Sequence, residues 1–275
     1  MNVSLTRHNL TFPSVAGIPR RELWSLPLND EARNKIKDAL TDEPFLTINQ
    51  VANLFYSVRR DGQPAKPSRF RLRGKELELT PGYNSAKDLL GRMVRDKELI
   101  VFKPKNDQPQ STPNLYALPG TKKPINDNAL YGHEMDCADC FVALRRTYGE
   151  KLVRWQRHWN EVEREVFGEK YGIWPDRVFE LEHSDEVYFL EVDRGTEDLR
   201  KQIQPKIEDY FKLWQAYKDK QSFTIIFTAQ GYRYHEDDNA RRDELNGFIG
   251  RLTSCPFIVA TQSEFTKNPN AILGL

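Results

Sequence analysis

The segment from Pro175 to Asp193, PDRVFELEHSDEVYFLEVD, constrains this chain more than any other. Two short β-type runs, one holding Val178, Phe179 and Leu181 and the other Val187 to Leu190 and Val192, flank a polar His183-Ser184-Asp185 turn. That is the pattern of an antiparallel hairpin. Pairing brings Asp176, at the start of the first run, back to the end where Glu191 and Asp193 close the second. Side chains alternate along a strand, so Glu191 and Asp193 share one face while Val192 points to the other. Three carboxylates converging at one end of a hairpin suit a hard divalent cation, Mg²⁺ or Mn²⁺. Acids also sit at strand ends for the plain reason that strand ends meet water. Glu191, however, follows the apolar run Tyr188-Phe189-Leu190, which carries it toward a core. The expectation is a metal-dependent phosphodiester enzyme.

At 275 residues the chain is long enough for two domains, and 39% hydrophobic with 29% charged residues suits a soluble protein with a real core. No run has the length of a membrane-spanning helix, the start lacks a signal-peptide core, and three irregularly spaced cysteines point to a reducing, cytoplasmic setting. The net charge of +1 hides an asymmetry. Up to Asn126 there are 21 Lys and Arg against 13 Asp and Glu, and beyond it 20 against 27. A basic front half attracts phosphate backbones, and an acidic rear half can hold a cation that acts on them.

Residues 1–28 read as an arm, 29–119 as one domain, 120–128 as a linker and 129–275 as a second domain. In the front domain, helices are expected from Asn29, from Thr47 with Gln50 completing a capping box, and over Asn84 to Arg95. Two short strands follow, Leu99 to Phe102 and Leu115 to Leu118, around a polar turn. Three helices and a hairpin form a winged helix-turn-helix, a DNA-binding arrangement whose third helix enters the major groove. Lys87, Arg92 and Arg95 lie on that helix. The insert 57–83 adds Arg59, Arg60, Lys66, Arg69, Arg71, Arg73 and Lys75, and the alternation from Arg69 to Arg73 fits a β-ribbon that contacts DNA phosphates. A solvated loop is the plainer alternative.

The rear domain is expected to be α/β. A helix spans His133 to Tyr148, a strand Lys151 to Trp155, and a helical stretch Glu161 to Phe167 precedes the hairpin. A long helix capped by Thr196 runs to about Lys220 with a kink at Pro205. Strand Ser222 to Thr228, helix Asp237 to Leu252 and strand Phe257 to Thr261 complete it. The fold class is therefore α+β in front and α/β behind, with a mixed central sheet.

The string Glu191-Val192-Asp193-Arg194-Gly195-Thr196-Glu197, with Pro175-Asp176 before it and Lys206 and Tyr210 after it, resembles the replication-relaxation family of plasmid and mobile-element proteins, which includes relaxases of mobilisable plasmids. Leu46 to Val51, Lys97-Glu98-Leu99, Tyr116-Ala117-Leu118 and His133 are similar to the same family. The rear domain also resembles a divergent member of the PD-(D/E)xK superfamily, the restriction-endonuclease fold. Asp176 and Glu191 match its first two positions, while Asp193 stands where that pattern has lysine. The resemblance implies that Asp176 and Glu191 hold Mg²⁺ or Mn²⁺, with Asp193 as third ligand or general base and Glu161 or Glu165 as weaker additions. It implies that Lys206, or less directly Arg194, supplies the missing ammonium, and that the partner is DNA at an origin of transfer or replication, with other mobilisation or coupling proteins alongside. A relaxase that keeps the cut strand needs a nucleophile, and Tyr210, Tyr232 and Tyr234 are candidates. Tyr210, one turn beyond Lys206, is the nearest of them and equally suits a core aromatic.

The expected activity is site-specific DNA nicking. The alternatives are an inert DNA-binding replication initiator or transcriptional regulator, and a restriction or defence nuclease. His133, Cys137 and Cys140 have zinc-like spacing but lack a second pair, so a buried helix face explains them better. Arg233, Arg241 and Arg242 near the last long helix suit either phosphate contact or a solvated face.

Overall fold

The structure, a computed structural model, describes residues 30–57, 68–72, 75–103, 113–122, 128–157, 160, 163–182, 184–231, 237–252 and 256–275. The expected arm, the insert residues Arg59, Arg60, Lys66 and Arg73, and Glu161, Tyr232, Arg233 and Tyr234 lie outside the described residues. Two compact units divide between Val142 and Ala143.

In the first unit, α1 (Asp30–Asp42) buries Ala32, Ile36, Ala39 and Leu40 along one stripe, the spacing that lets one helical face meet a core. The loop after it enters α2 (Ile48–Phe55) through a capping box. Gln50 N donates to Thr47 Oγ1 at 3.2 Å, and Thr47 N donates to Gln50 Oε1 at 2.8 Å, which satisfies two backbone donors that the helix itself leaves open. Strands β1 (Ser68–Leu72) and β2 (Lys75–Leu79) form the expected ribbon. Its register sets Arg69 opposite Glu78 and Arg71 opposite Glu76.

Gly82, at φ 76°, leads into α3 (Tyr83–Arg95). A Cβ there would lie 2.1 Å from Tyr56 Cβ, so the start of α3 meets the end of α2 at a separation only glycine permits. α3 buries Ala86, Leu89, Leu90 and Met93, and leaves Lys87, Asp88, Arg92 and Arg95 exposed. Strands β3 (Ile100–Phe102) and β4 (Leu115–Ala117) pair antiparallel, and Leu46 adds a bridge to Tyr116.

Helix α4 (Asn128–Tyr148) begins ahead of the expected His133, and the two units divide inside it. The reason lies in its contacts. Gln50 Nε2 donates to Met135 O at 2.9 Å and to Asp139 Oδ1 at 2.8 Å, Tyr131 OH donates to Pro113 O, and Tyr131 packs with Phe45, Leu115 and Ala117.

The second unit is built on a five-stranded mixed sheet whose spatial order follows the chain: β5 (Leu152–Gln156), β6 (Arg177–Leu181), β7 (Glu186–Asp193), β8 (Ser222–Ala229) and β9 (Phe257–Thr261). β5, β6 and β7 are antiparallel, and β7, β8 and β9 are parallel. After β7 a π-helical turn, Leu199–Ile203, leads into α5 (Gln204–Tyr217), and α6 (Asp238–Leu252) connects β8 to β9. Two short helices, α7 (Gln262–Lys267) and α8 (Pro269–Leu273), end the chain. Val178, Val187, Phe189, Ile225 and Phe227 from one sheet face pack with Ile203, Ile207, Tyr210 and Leu213, and with Leu245 and Ile249. Each large apolar side chain buried there contributes about 1.5–3 kcal/mol before chain entropy is counted.

Two expectations about α5 are corrected. The cap of the helical run, at the π-turn that leads into it, is Asp198, whose Oδ1 accepts from Arg200 N at 3.0 Å and Lys201 N at 2.8 Å, rather than Thr196. Pro205 does not kink a continuous helix but stands in the first turn of the regular one, after the π-turn. Proline has no N–H to give and its ring clashes with the carbonyl four residues back, and a first-turn position removes both problems. Among the described residues, no helix is long and apolar enough to cross a membrane.

Candidate functional site

The β6–β7 hairpin brings Asp176 to the C-terminal end of β7. Register pairs Arg177 with Leu190, and Asp176 Oδ2 accepts from Val192 N at 2.7 Å. This bond fixes the carboxylate of the first strand to the backbone between the two acids of the second. Alternation then does what the sequence implies. Val187, Phe189, Glu191 and Asp193 follow one another on one face of β7, and Val187 and Phe189 lie in the core that α5 and α6 cover.

Glu191 is therefore a carboxylate carried into that core, with only 2% of its surface exposed. Its two oxygens have separate partners. Tyr210 OH donates to Oε1 at 2.6 Å, and Lys206 Nζ lies 3.1 Å from Oε2. Lys206 and Tyr210 are four residues apart on α5, one turn, which stacks them on the same helix face. Lys206 also reaches Glu197 Oε2 at 3.3 Å, and Lys206 and Glu197 remain about one-third exposed. Asp176 is half-buried. The cluster thus has a dry floor at Glu191 and Tyr210 and a wet rim at Asp176, Lys206 and Glu197.

Electrostatics follow from that placement. Burial pushes the Glu191 carboxyl up to about 7. The Lys206 charge opposes the shift, the Asp176 charge adds to it, and the Tyr210 hydrogen bond lowers it. The Lys206 ammonium is raised as well, first by Glu191 against its own desolvation and then by Glu197 and Asp176. Both partners move upward for different reasons, the acid because it is dry and the base because it is surrounded by acids.

Asp193 does not join this cluster. Its Oδ2 accepts from Arg241 Nε at 2.6 Å, and its Oδ1 accepts from Arg241 Nη2 at 3.3 Å and from Gly195 N at 3.1 Å. Arg241 and Asp193 are each only 3% exposed. The same guanidinium donates to Glu197 O at 2.9 Å and to Glu244 Oε2 at 2.9 Å. Arg241, expected on a phosphate-facing or solvated surface, instead ties α6 to the loop that presents Glu197. Tyr210 is buried, with its ring stacked on Phe189 at 5.8 Å and its hydroxyl on Glu191, so the core-aromatic reading describes its position.

The remaining candidates are dispersed. Glu165 is exposed, whereas Glu163 is buried against Arg154 at 2.6 Å. Arg242 pairs with Asp243 and Glu264. Cys137 and Cys140 are buried thiols, with His133 Nδ1 3.8 Å from Cys137 Sγ. Among the described residues, no group of three or more His, Cys, Asp and Glu is disposed to hold a metal ion. Sequence reasoning missed Glu197 as part of the site and the pairing of Arg241 with Asp193. Glu197 carried a signal, its place in the Glu191–Glu197 string, while nothing in the sequence ties Arg241 to an aspartate 48 positions earlier.

Comparison with known proteins adds one finding. No curated protein and no solved structure matches the chain. Residues 106–226, from the approach to β4 into β8 and including Asp176, Glu191, Lys206 and Tyr210, match the model of the replication-relaxation family.

Proposed function

We propose that the chain is a DNA-nicking endonuclease of the relaxase type that works in the mobilisation or replication of a plasmid or integrative element. The carrying observation is the Asp176–Glu191–Lys206 cluster: two carboxylates and an ammonium converging at a strand end, with one carboxylate dry. The family match over residues 106–226 supports the plasmid role. Asp176 and Glu191 would hold Mg²⁺ or Mn²⁺. The hydrogen bond from Val192 N to Asp176 Oδ2 sets the two carboxylates at the same strand end, and their mutual repulsion is what a cation would relieve. Asp193 does not fit, because its oxygens are held by Gly195 N and by an Arg241 that is itself buried, whereas the Lys206 on Glu191 Oε2 is about one-third exposed and can give way. When bound, such an ion polarises a phosphoryl oxygen and lowers the pKa of a coordinated water.

The chain's own groups supply the rest. Tyr210 orients Glu191 from below. Lys206, held between Glu191 and Glu197, presents a fixed positive charge toward solvent, where the extra charge of a pentavalent phosphate transition state would develop. In the front unit, α1, α2, α3 and the β3–β4 hairpin follow the order of a winged helix. The exposed Lys87, Arg92 and Arg95 of α3 would contact DNA.

Metal removal tests the activity directly. A supercoiled plasmid carrying the element's origin, incubated with the protein and Mg²⁺ or Mn²⁺, is expected to become open circles, and EDTA is expected to abolish the conversion. Linear product would instead point to a restriction-type nuclease. Tight origin binding with no nicking in either metal would favour an inert initiator, a reading to which the engaged Asp193 lends weight. For the insert, replacing Arg69, Arg71 and Arg73 together with alanine is expected to weaken DNA binding. Each lost phosphate contact should reduce the log–log salt slope by about 0.9. An unchanged slope by fluorescence anisotropy across a salt series would remove the insert from the DNA interface.

A further inference from the structure

We propose that Trp174 is a stacking platform for one unpaired nucleobase, beside the phosphate that the Asp176–Glu191–Lys206 cluster would receive. This rests on the nuclease reading of that cluster and adds to it a residue that would hold an unpaired base beside the cleaved phosphate.

The indole is 56% exposed, although it is the largest apolar side chain a residue can offer. It is nevertheless seated. A Cβ at Gly168 would lie 2.8 Å from both Cη2 and Cζ2 of the indole, so the six-membered ring rests on a surface that only glycine leaves flat. Its position along the chain is fixed as well. Trp174 precedes Pro175, which restricts its backbone to extended conformations. Pro175 is buried, and Asp176 is bonded to Val192 N. Two extended residues span about 7 Å, so the backbone that carries the indole lies a short step along the chain from Asp176 at the rim. Lys170, exposed on the same connection, adds a positive charge for the DNA backbone.

A base inside a duplex is already stacked on both faces and cannot use such a platform. An unpaired base can, and aromatic stacking tolerates any base because each has a π-face. The geometry therefore selects DNA that is locally open rather than a particular letter.

The test uses the full chain in EDTA, so that cleavage does not enter. The probes are a fluorescent single-stranded oligonucleotide from the origin strand, its duplex, and a set of the single strands with one abasic position each. Trp174→Ala is expected to weaken single-strand binding about 5- to 100-fold and leave duplex binding unchanged, with Trp174→Phe losing less. In the wild type, one abasic position should produce a loss of similar size, and Trp174→Ala should no longer sense that position. Gly168→Ala, which keeps the tryptophan but pushes its ring off the seat, should blur the same position. Equal abasic profiles for wild type and Trp174→Ala, or equal losses on single strand and duplex, would overturn the proposal. Metal-dependent nicking alongside such a result would leave the nuclease reading standing without the platform. A position-specific signal in a protein that never nicks would keep the platform and sink the nuclease.

Discussion

Glu191→Gln is expected to reduce plasmid nicking by about 10²–10³-fold or more while leaving DNA affinity within about twofold. The substitution keeps the shape of the side chain and an oxygen for the Tyr210 hydroxyl, 2.6 Å away, but removes the charge that would hold a divalent cation with Asp176. It also changes stability in a way that identifies the residue. Glu191 has a folded-state pKa of about 7 against an ordinary 4.5, chiefly through burial. Between these values the folded protein keeps a proton that the unfolded chain has released. The resulting contribution to stability is fully present below about pH 4.5 and is lost as pH rises through about 7. Glutamine does not titrate. Denaturant melts of both proteins from pH 4.5 to 7.5 should therefore move the stability gap in favour of the variant by on the order of 3 kcal/mol. A pH-independent gap would mean that Glu191 is ionised throughout, already satisfied by Lys206. Loss of DNA binding together with nicking would mean that the substitution damages the fold rather than the chemistry.

The cluster was legible wherever a local rule placed its members. Period-two alternation carried Glu191 into the core, the polar turn after Leu181 returned Asp176 to it, and one helical turn set Tyr210 on the same face as Lys206. The capping box at Thr47 was legible for the same reason, since its partners are three residues apart. What the sequence hid depends on contacts between distant segments. Asp193 reads as a ligand beside Glu191 because alternation puts both on one face. Only the packing of α6 reveals that a guanidinium 48 residues later has taken its oxygens. The start of α5 was misread because Thr196 and Asp198 are both good caps, and the π-turn that decides between them leaves no period in the sequence. Trp174 was silent for a related reason. Its seat on Gly168 exists only in three dimensions.

Arg241→Ala should then be among the most damaging single substitutions for stability in the second unit, at about 3–5 kcal/mol. Its side chain is 4% exposed, and its guanidinium makes hydrogen bonds to Asp193, Glu244 and the Glu197 carbonyl. Truncation leaves the Asp193 carboxylate, 1% exposed, without its counter-charge, and a buried unpaired charge costs more than its pairing contributed. Thermal melting should show a drop of about 10–20 °C for a unit of this size. Asp193→Ala in the same background should recover part of the loss, because the charge left unpaired is removed with it. That recovery separates a buried pair from a metal ligand. If Asp193 served a cation instead, Asp193→Asn would lower metal affinity and leave the melt unchanged, and Arg241→Ala would cost little. A shift of only a few degrees for Arg241→Ala, with no rescue in the double variant, would return Asp193 to the site. A large shift with rescue would assign it to the loop that holds Glu197 beside Lys206, and leave any metal to Asp176 and Glu191.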